Sequence, residues 1–269
     1  MFEWSVFAVV FFVLSMASVQ DIRRREVSDE FWMVICILAV VTSLVSTEGC
    51  MGIVRASAVM AVSLYMFSPR VKGMISVAVI VLAVCMLAFV SSVTSDAGPA
   101  ISAVMAVSVI LLYIFGVIRG GADAKALVSL SLLFPLFPSI GGMLWPPMYP
   151  EDMVFNPVFS ALVISLLISL IWTAIAIRKL GDGEGCRLGQ CMMPIRKARE
   201  SFVWPMEDVM DGRKVGISAT DDVDRIYEHL ECAGYDSVRV TPMIPFIPMI
   251  TAGFTVVILM GTPLNLLIF

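Results

Sequence analysis

Eight long apolar stretches, separated by short polar ones, set the pattern of this chain. They cover roughly 3–20, 30–47, 51–68, 73–94, 98–118, 123–140, 156–177 and 243–268. Each is long enough, as a helix, to cross about 30 Å of hydrocarbon. The spacing therefore predicts about eight transmembrane helices. The sixth is unusual, because it opens on Asp123 and is interrupted by Pro135 and Pro138. A broken helix at membrane depth is tolerated only where protein buries it or a wet cavity adjoins it.

A single polar region interrupts the pattern. Residues 178–240 hold 10 basic and 12 acidic residues and begin with a glycine-rich turn at 181–185. Residues 221–231 alternate as an amphipathic helix with an acidic start, as the helix dipole favours. Gly234 is a suitable stop, and 214–217 and 237–240 read as short strands. The expected architecture is an all-α polytopic membrane protein with a small cytosolic α/β insertion before its last helix. Its parts are a membrane domain over 1–177, the insertion over 178–241 and the last helix over 242–269.

Composition agrees. The 269 residues are 59% hydrophobic and 15% charged, and mean hydropathy is +0.94. Residues 1–18 lack the basic start of a cleavable leader, and the charges follow the apolar run, so this segment is expected to stay as the first helix. Six cysteines make no disulfide framework, and Cys186 with Cys191 lacks the second ligand pair a zinc site needs. No metal and no cofactor are expected. The charge balance of 178–240 gives no reason to expect a nucleic-acid partner.

The placement of charge orients the chain. If the segment after the first helix is cytoplasmic, 17 of the 18 Lys and Arg fall on that side and only Arg55 on the other. Basic residues in short loops favour the cytoplasm. This puts the C-terminus outside.

Two carboxylates then stand out. Asp123 lies in Arg119-Gly120-Gly121-Ala122-Asp123-Ala124-Lys125, between two apolar runs. An Asp at the centre of a membrane helix costs roughly 2.5–3.5 kcal/mol, so ionisable groups there mark functional sites. Gly120 and Gly121 leave room for a second backbone beside the carboxyl. Asp21 ends the first apolar run, after Ser15, Ala17 and Ser18, whose small side chains allow close helix approach. The topology puts Asp21 and Asp123 at one depth on the cytoplasmic face. Two carboxyls a few ångströms apart hold one proton between them, so one serves as general base and the other as general acid around a shared water.

Each feature also has a plainer account. Asp123 could cap a helix, and Asp21 could be a charged stop balanced by Arg23, Arg24 and Arg25. Those arginines read as topology anchors, and Glu26, Asp29 and Glu30 as a solvated face able to attract a basic peptide. Lys125 either holds Asp123 or a substrate carbonyl, or snorkels to the interface. Pro242, Pro245 and Pro248 either line the site or feed an extended segment into a helix. His229, the sole histidine, sits on the polar insertion and suggests no triad or metal site.

Ser18-Val19-Gln20-Asp21-Ile22-Arg23-Arg24-Arg25-Glu26, the Gly120-Gly121-Ala122-Asp123 segment and Thr241-Pro242-Met243-Ile244-Pro245-Phe246-Ile247-Pro248, in that order, resemble archaeal preflagellin and type IV prepilin peptidases. These are membrane aspartic peptidases with a Gly-x-Gly-Asp motif. The resemblance implies that Asp21 and Asp123 are the catalytic pair. It also implies that archaellin or pilin-like precursors lose a short basic leader at the cytoplasmic membrane face. Gly120, Gly121, Lys125, Pro242 and Pro245 are the candidate substrate-binding residues. Ala122 stands where the motif usually has its second Gly, and two extra apolar spans, most simply a hairpin among 51–94, separate the aspartates. Bacterial relatives with a tetra-cysteine zinc element also methylate the new N-terminus; that cysteine set is missing here, so no methyl transfer is expected. Two rivals remain. One is an intramembrane protease of the presenilin or signal-peptide-peptidase type, which carries Tyr-Asp and Pro-Ala-Leu where this chain has Gln20-Asp21 and Thr241-Pro242-Met243. The other is a transporter or assembly factor that uses the aspartates as proton carriers.

Overall fold

The structure, a computed structural model, describes residues 2–67, 74–118, 120–138, 156–180, 190–210, 213–217 and 222–262. The glycine-rich turn at 181–185, Arg70, Lys72, Arg119 and Cys186 lie outside them. The chain divides into two compact units, one of Met1–Ser165 with Phe246–Phe269 and one of Leu166–Pro245.

In the first unit the apolar stretches fold as α1 (Phe2–Arg24), α2 (Asp29–Ser46), α3 (Cys50–Phe67), α4 (Met74–Thr94), α5 (Gly98–Ile114) and α6 (Gly121–Leu133). The helix α7 (Pro157–Leu180) begins here and runs into the second unit. Among the described residues five helices, not eight, have the length and apolar composition of membrane spans: α1 to α4 and α7. This corrects the expectation from the apolar runs. A run of apolar residues counts side chains, whereas a span also needs unbroken backbone.

The sixth stretch shows the reason most clearly. Its helix stops at Leu133, and Phe134 leaves helical geometry at φ −119, ψ 68. Pro135 follows, and a proline pushes its predecessor out of the helical region and has no N–H to give. The resulting α6 is 13 residues long, and Ala126 to Leu133 are all buried. A helix that is apolar all round belongs inside a bundle. Packed by α2, α3 and α5, α6 is shielded from lipid and has no need to span it.

The break is satisfied by side chains. Asn156 donates from Nδ2 to the Pro135 carbonyl at 2.6 Å, and its Oδ1 accepts the Val158 and Phe159 amides that open α7. A cap of this kind is worth about 1 kcal/mol. Likewise Ser102 of α5 donates to the Ser131 carbonyl of α6 at 3.1 Å.

The second unit is a small α/β fold. In chain order it has β1 (Cys191–Pro194), α8 (Ile195–Arg199), β2 (Val203–Pro205), β3 (Glu207–Met210), β4 (Arg213–Gly216), α9 (Val223–Cys232) and β5 (Ser237–Pro242). The strand β5 pairs antiparallel with β1 on one side and β2 on the other, while β3 and β4 form a separate hairpin. Val238 and Val240 of β5 point into a core with Met193, Val203, Ile226, Tyr227 and Leu230. Glu207 accepts the Arg239 amide at 3.1 Å and lies 3.5 Å from the Lys214 ammonium, tying the hairpin to the sheet. Cys191 is disulfide-bonded, a pairing the cysteine spacing did not suggest.

The last helix, α10 (Ile247–Met260), returns to the first unit and ends at Gly261, whose φ of 92° favours glycine. It packs antiparallel to α1, with Phe254 against Phe7 and Phe134 at ring distances of 6.4 and 5.2 Å. At Gly253 it comes close to α7. A β-carbon there would stand 2.6 Å from the Ala161 carbonyl oxygen.

Two outcomes follow from this packing. Gly253→Ala should destabilise the bundle by about 1–3 kcal/mol, read as a lower melting temperature in detergent; an unchanged melting temperature contradicts the close approach. In the second unit the buried Tyr227 hydroxyl has no hydrogen-bond partner among the described residues. Burial, helped by Asp224 and opposed by Arg199, pushes it up to about 12 from 10. An acid whose folded pKa is raised keeps its full stability below the unfolded value and loses it as pH rises through the folded one. Wild type should therefore lose up to about 2–3 kcal/mol between pH 10 and 12 relative to Tyr227→Phe. Unfolding of both chains at pH 8 and pH 11.5 checks this; parallel losses would contradict it.

Candidate functional site

Asp21 occupies the last turn of α1 and is buried at 8% exposure. The turn places it opposite the start of α10. There the Ile247 amide, first of the helix, donates to Asp21 Oδ2 at 3.2 Å. The first amides of a helix have no partner within it, and the helix dipole is positive at that end, so the arrangement suits a carboxylate. One turn away, Ser18 Oγ and Thr251 Oγ1 share a hydrogen bond of 2.8 Å, and Thr251 also reaches the Leu14 carbonyl at 3.3 Å. These bonds fix the register of α1 on α10.

Asp123 is the third residue of α6, half-buried in its first turn. Its carboxyl folds back over Gly120, and a β-carbon on Gly120 would come within 2.8 Å of the Asp123 carboxyl carbon. Gly120 has ordinary extended geometry at φ −75, ψ 116. It is glycine for space, not for conformation. Gly121 is less constrained, since a β-carbon there would meet only the Tyr113 hydroxyl, at 3.6 Å. Asp123 lies within electrostatic reach of Asp21, although 102 residues separate them in the chain. Asp123 thus sits in the first turn of its own helix and Asp21 against the first amide of another, and the two share one region of the bundle.

The remaining candidates make contacts of their own. Lys125 makes its ion pair with Asp29 of α2, Nζ to Oδ1 at 2.6 Å, and stands 5.5 Å over the Phe67 ring. Pro242 closes β5 opposite Val203, and Pro245 lies in the extended stretch before α10; both belong to the second unit, whereas the aspartates belong to the first. Pro248 sits at the second position of α10, where a missing N–H costs nothing. His229 approaches Asp208 at 3.3 Å within the second unit.

Sequence reasoning missed several residues around the acids. Arg25, read as an anchor, turns back in a left-handed conformation at φ 58, and its charge acts on Asp21. Gln20 donates from Nε2 to Ser28 Oγ at 2.9 Å and accepts the Ser28 amide at 3.3 Å, closing the turn between α1 and α2. Ser28 before Asp29-Glu30 was a legible helix start; its Gln20 partner had no sequence signal. Thr251 also went unnoticed. Beside Ser18 and Thr251, a groove of about 450 Å³ runs along the seam of α1 and α10, between Phe11 and Pro248.

The fold is a mostly helical bundle with several helices long and apolar enough to cross a membrane, and Asp21 and Asp123 lie within electrostatic reach of each other in it. No protein-family model matches the chain, and no curated protein sequence matches it either.

Because the Asp123 carboxyl occupies the space a side chain at 120 would need, Gly120→Ala should displace it and Gly121→Ala should not. Carbodiimide labelling of Asp123, followed by mass spectrometry, should change in the first variant only. Equal labelling in wild type and Gly120→Ala would contradict the packing.

Proposed function

We propose that this protein is a membrane aspartic endopeptidase. It removes the short basic leader of archaellin or type IV pilin-like precursors at the cytoplasmic face and leaves the new N-terminus unmethylated. One observation carries the reading: Asp21 and Asp123, remote in sequence, lie within electrostatic reach of each other inside an apolar bundle. The three segments that resemble prepilin peptidases, and the concentration of basic residues on one predicted side, support the choice of substrate and face.

The chemistry needs only the two carboxyls and water. The ionised carboxylate takes a proton from the water as its oxygen bonds to the scissile carbonyl carbon. The protonated carboxyl gives its proton to the carbonyl oxygen, and a tetrahedral diol forms. That diol then collapses: the C–N bond breaks, the amine leaves with a proton from one carboxyl, and the other regains its own. The Ile247 N–H holds Asp21 in place through these steps. Fixing both groups before the substrate arrives lowers the entropic part of the barrier.

Membranes containing the protein should cut a leader-bearing precursor in a cell-free assay. General acid–base assistance is worth about 100- to 10,000-fold, so Asp21→Asn and Asp123→Asn should each lower cleavage by at least about 100-fold. Full activity in either variant would overturn the assignment.

A further inference from the structure

The helices that carry the two acids are joined mainly through others. Among the described residues, α1 packs on α2 and α10, and α6 packs on α2 and α10 as well. The spacing of Asp21 and Asp123 is therefore set by how α1 and α6 are each pinned to those two helices. On the α10 side the pin is the Ile247 amide on Asp21. On the α2 side there are two pins, and they meet at consecutive residues. Gln20, directly before Asp21, grips Ser28 through two hydrogen bonds of 2.9 and 3.3 Å. Lys125, two residues after Asp123, grips Asp29 at 2.6 Å.

We infer that Asp29 and Lys125 are positioning residues that, with Gln20 and Ser28, use the N-terminus of α2 as a gauge for the distance between the two acids. The inference rests on the peptidase reading for its kinetic consequence and on geometry alone for its structural one. Asp29 stands in the first turn of α2, where the helix dipole favours an acid. The Lys125 ammonium is held from the other side by the Phe67 ring of α3 at 5.5 Å, so its position is fixed by three helices. An ion pair with Asp29 half-exposed, at 48%, adds little to overall stability. Its value lies in direction: it fixes the first turn of α6, and with it Asp123.

A displacement of about 1 Å in a reacting group costs up to about 100-fold in rate. Asp29→Asn and Lys125→Met should each lower kcat on a precursor by about 10- to 100-fold with little change in KM. The double variant should be no worse than either single one, as expected of two residues acting through one contact. Asp29→Glu, which keeps the charge, should restore most of kcat. A second readout needs no activity. Spin labels at Ile22 and Val117, both exposed, report the distance between the end of α1 and the entry to α6. The labels are placed in a chain with Cys50, Cys85 and Cys232 replaced by serine. The distance distribution should broaden in Asp29→Asn and narrow again in Asp29→Glu.

Wild-type kcat together with an unchanged distribution in Asp29→Asn overturns the gauge, while the peptidase reading stands or falls on Asp21→Asn and Asp123→Asn. If the wild-type protein cuts no precursor, the label distances decide alone: broadening supports the gauge and an unchanged distribution overturns it.

Discussion

A carboxylate inside an apolar bundle needs a donor, and for Asp21 that donor is the first amide of α10. The bond joins residues 226 positions apart and sets the fit between the first and last helices. The α10 helix begins at Ile247, so its free amides face the acid and its proline falls where no N–H is missed. Once Asp21 is seated, Ser18 meets Thr251 one turn along, and Phe7 meets Phe254 farther on. The polar contact fixes the register, and the apolar contacts beyond it supply the burial that holds the seam together.

The other acid depends on a helix that is short because it is buried. Pro135 ends α6 early, and Asn156 satisfies the freed carbonyl and starts α7 in the same step. Shielded by its neighbours, α6 can bring its N-terminal turn, with Asp123 folded over Gly120, into the region of Asp21. Gly120 is what makes room for the carboxyl.

Much of this was legible in the sequence, because apolar runs and amphipathic periodicity follow directly from burial. The helix expected at 221–231 is α9 at Val223–Cys232, and the strands expected at 214–217 and 237–240 are β4 and β5. Strands β1, β2 and β3 were not expected: three or four residues leave little alternation to read. Apolar content overstated the spans, since it does not show where Pro135 stops a helix or which helix lies inside. Contacts between distant residues were the least visible. Lys125 carried no mark of Asp29, nor Gln20 of Ser28, because an exposed charge and a turn-forming serine each have many plainer uses. Asp21 and Asp123 stood out for the opposite reason: an acid beside long apolar runs has few.

The central claim is that Asp21 of α1 and Asp123 of α6 lie within reach of each other in the native bundle. Replacing both, as Asp21→Cys with Asp123→Cys, and treating native membranes with a short bifunctional thiol reagent tests it directly. The account predicts a cross-link within one chain, lost when either cysteine is absent. Thiols that both react singly but never bridge would contradict it.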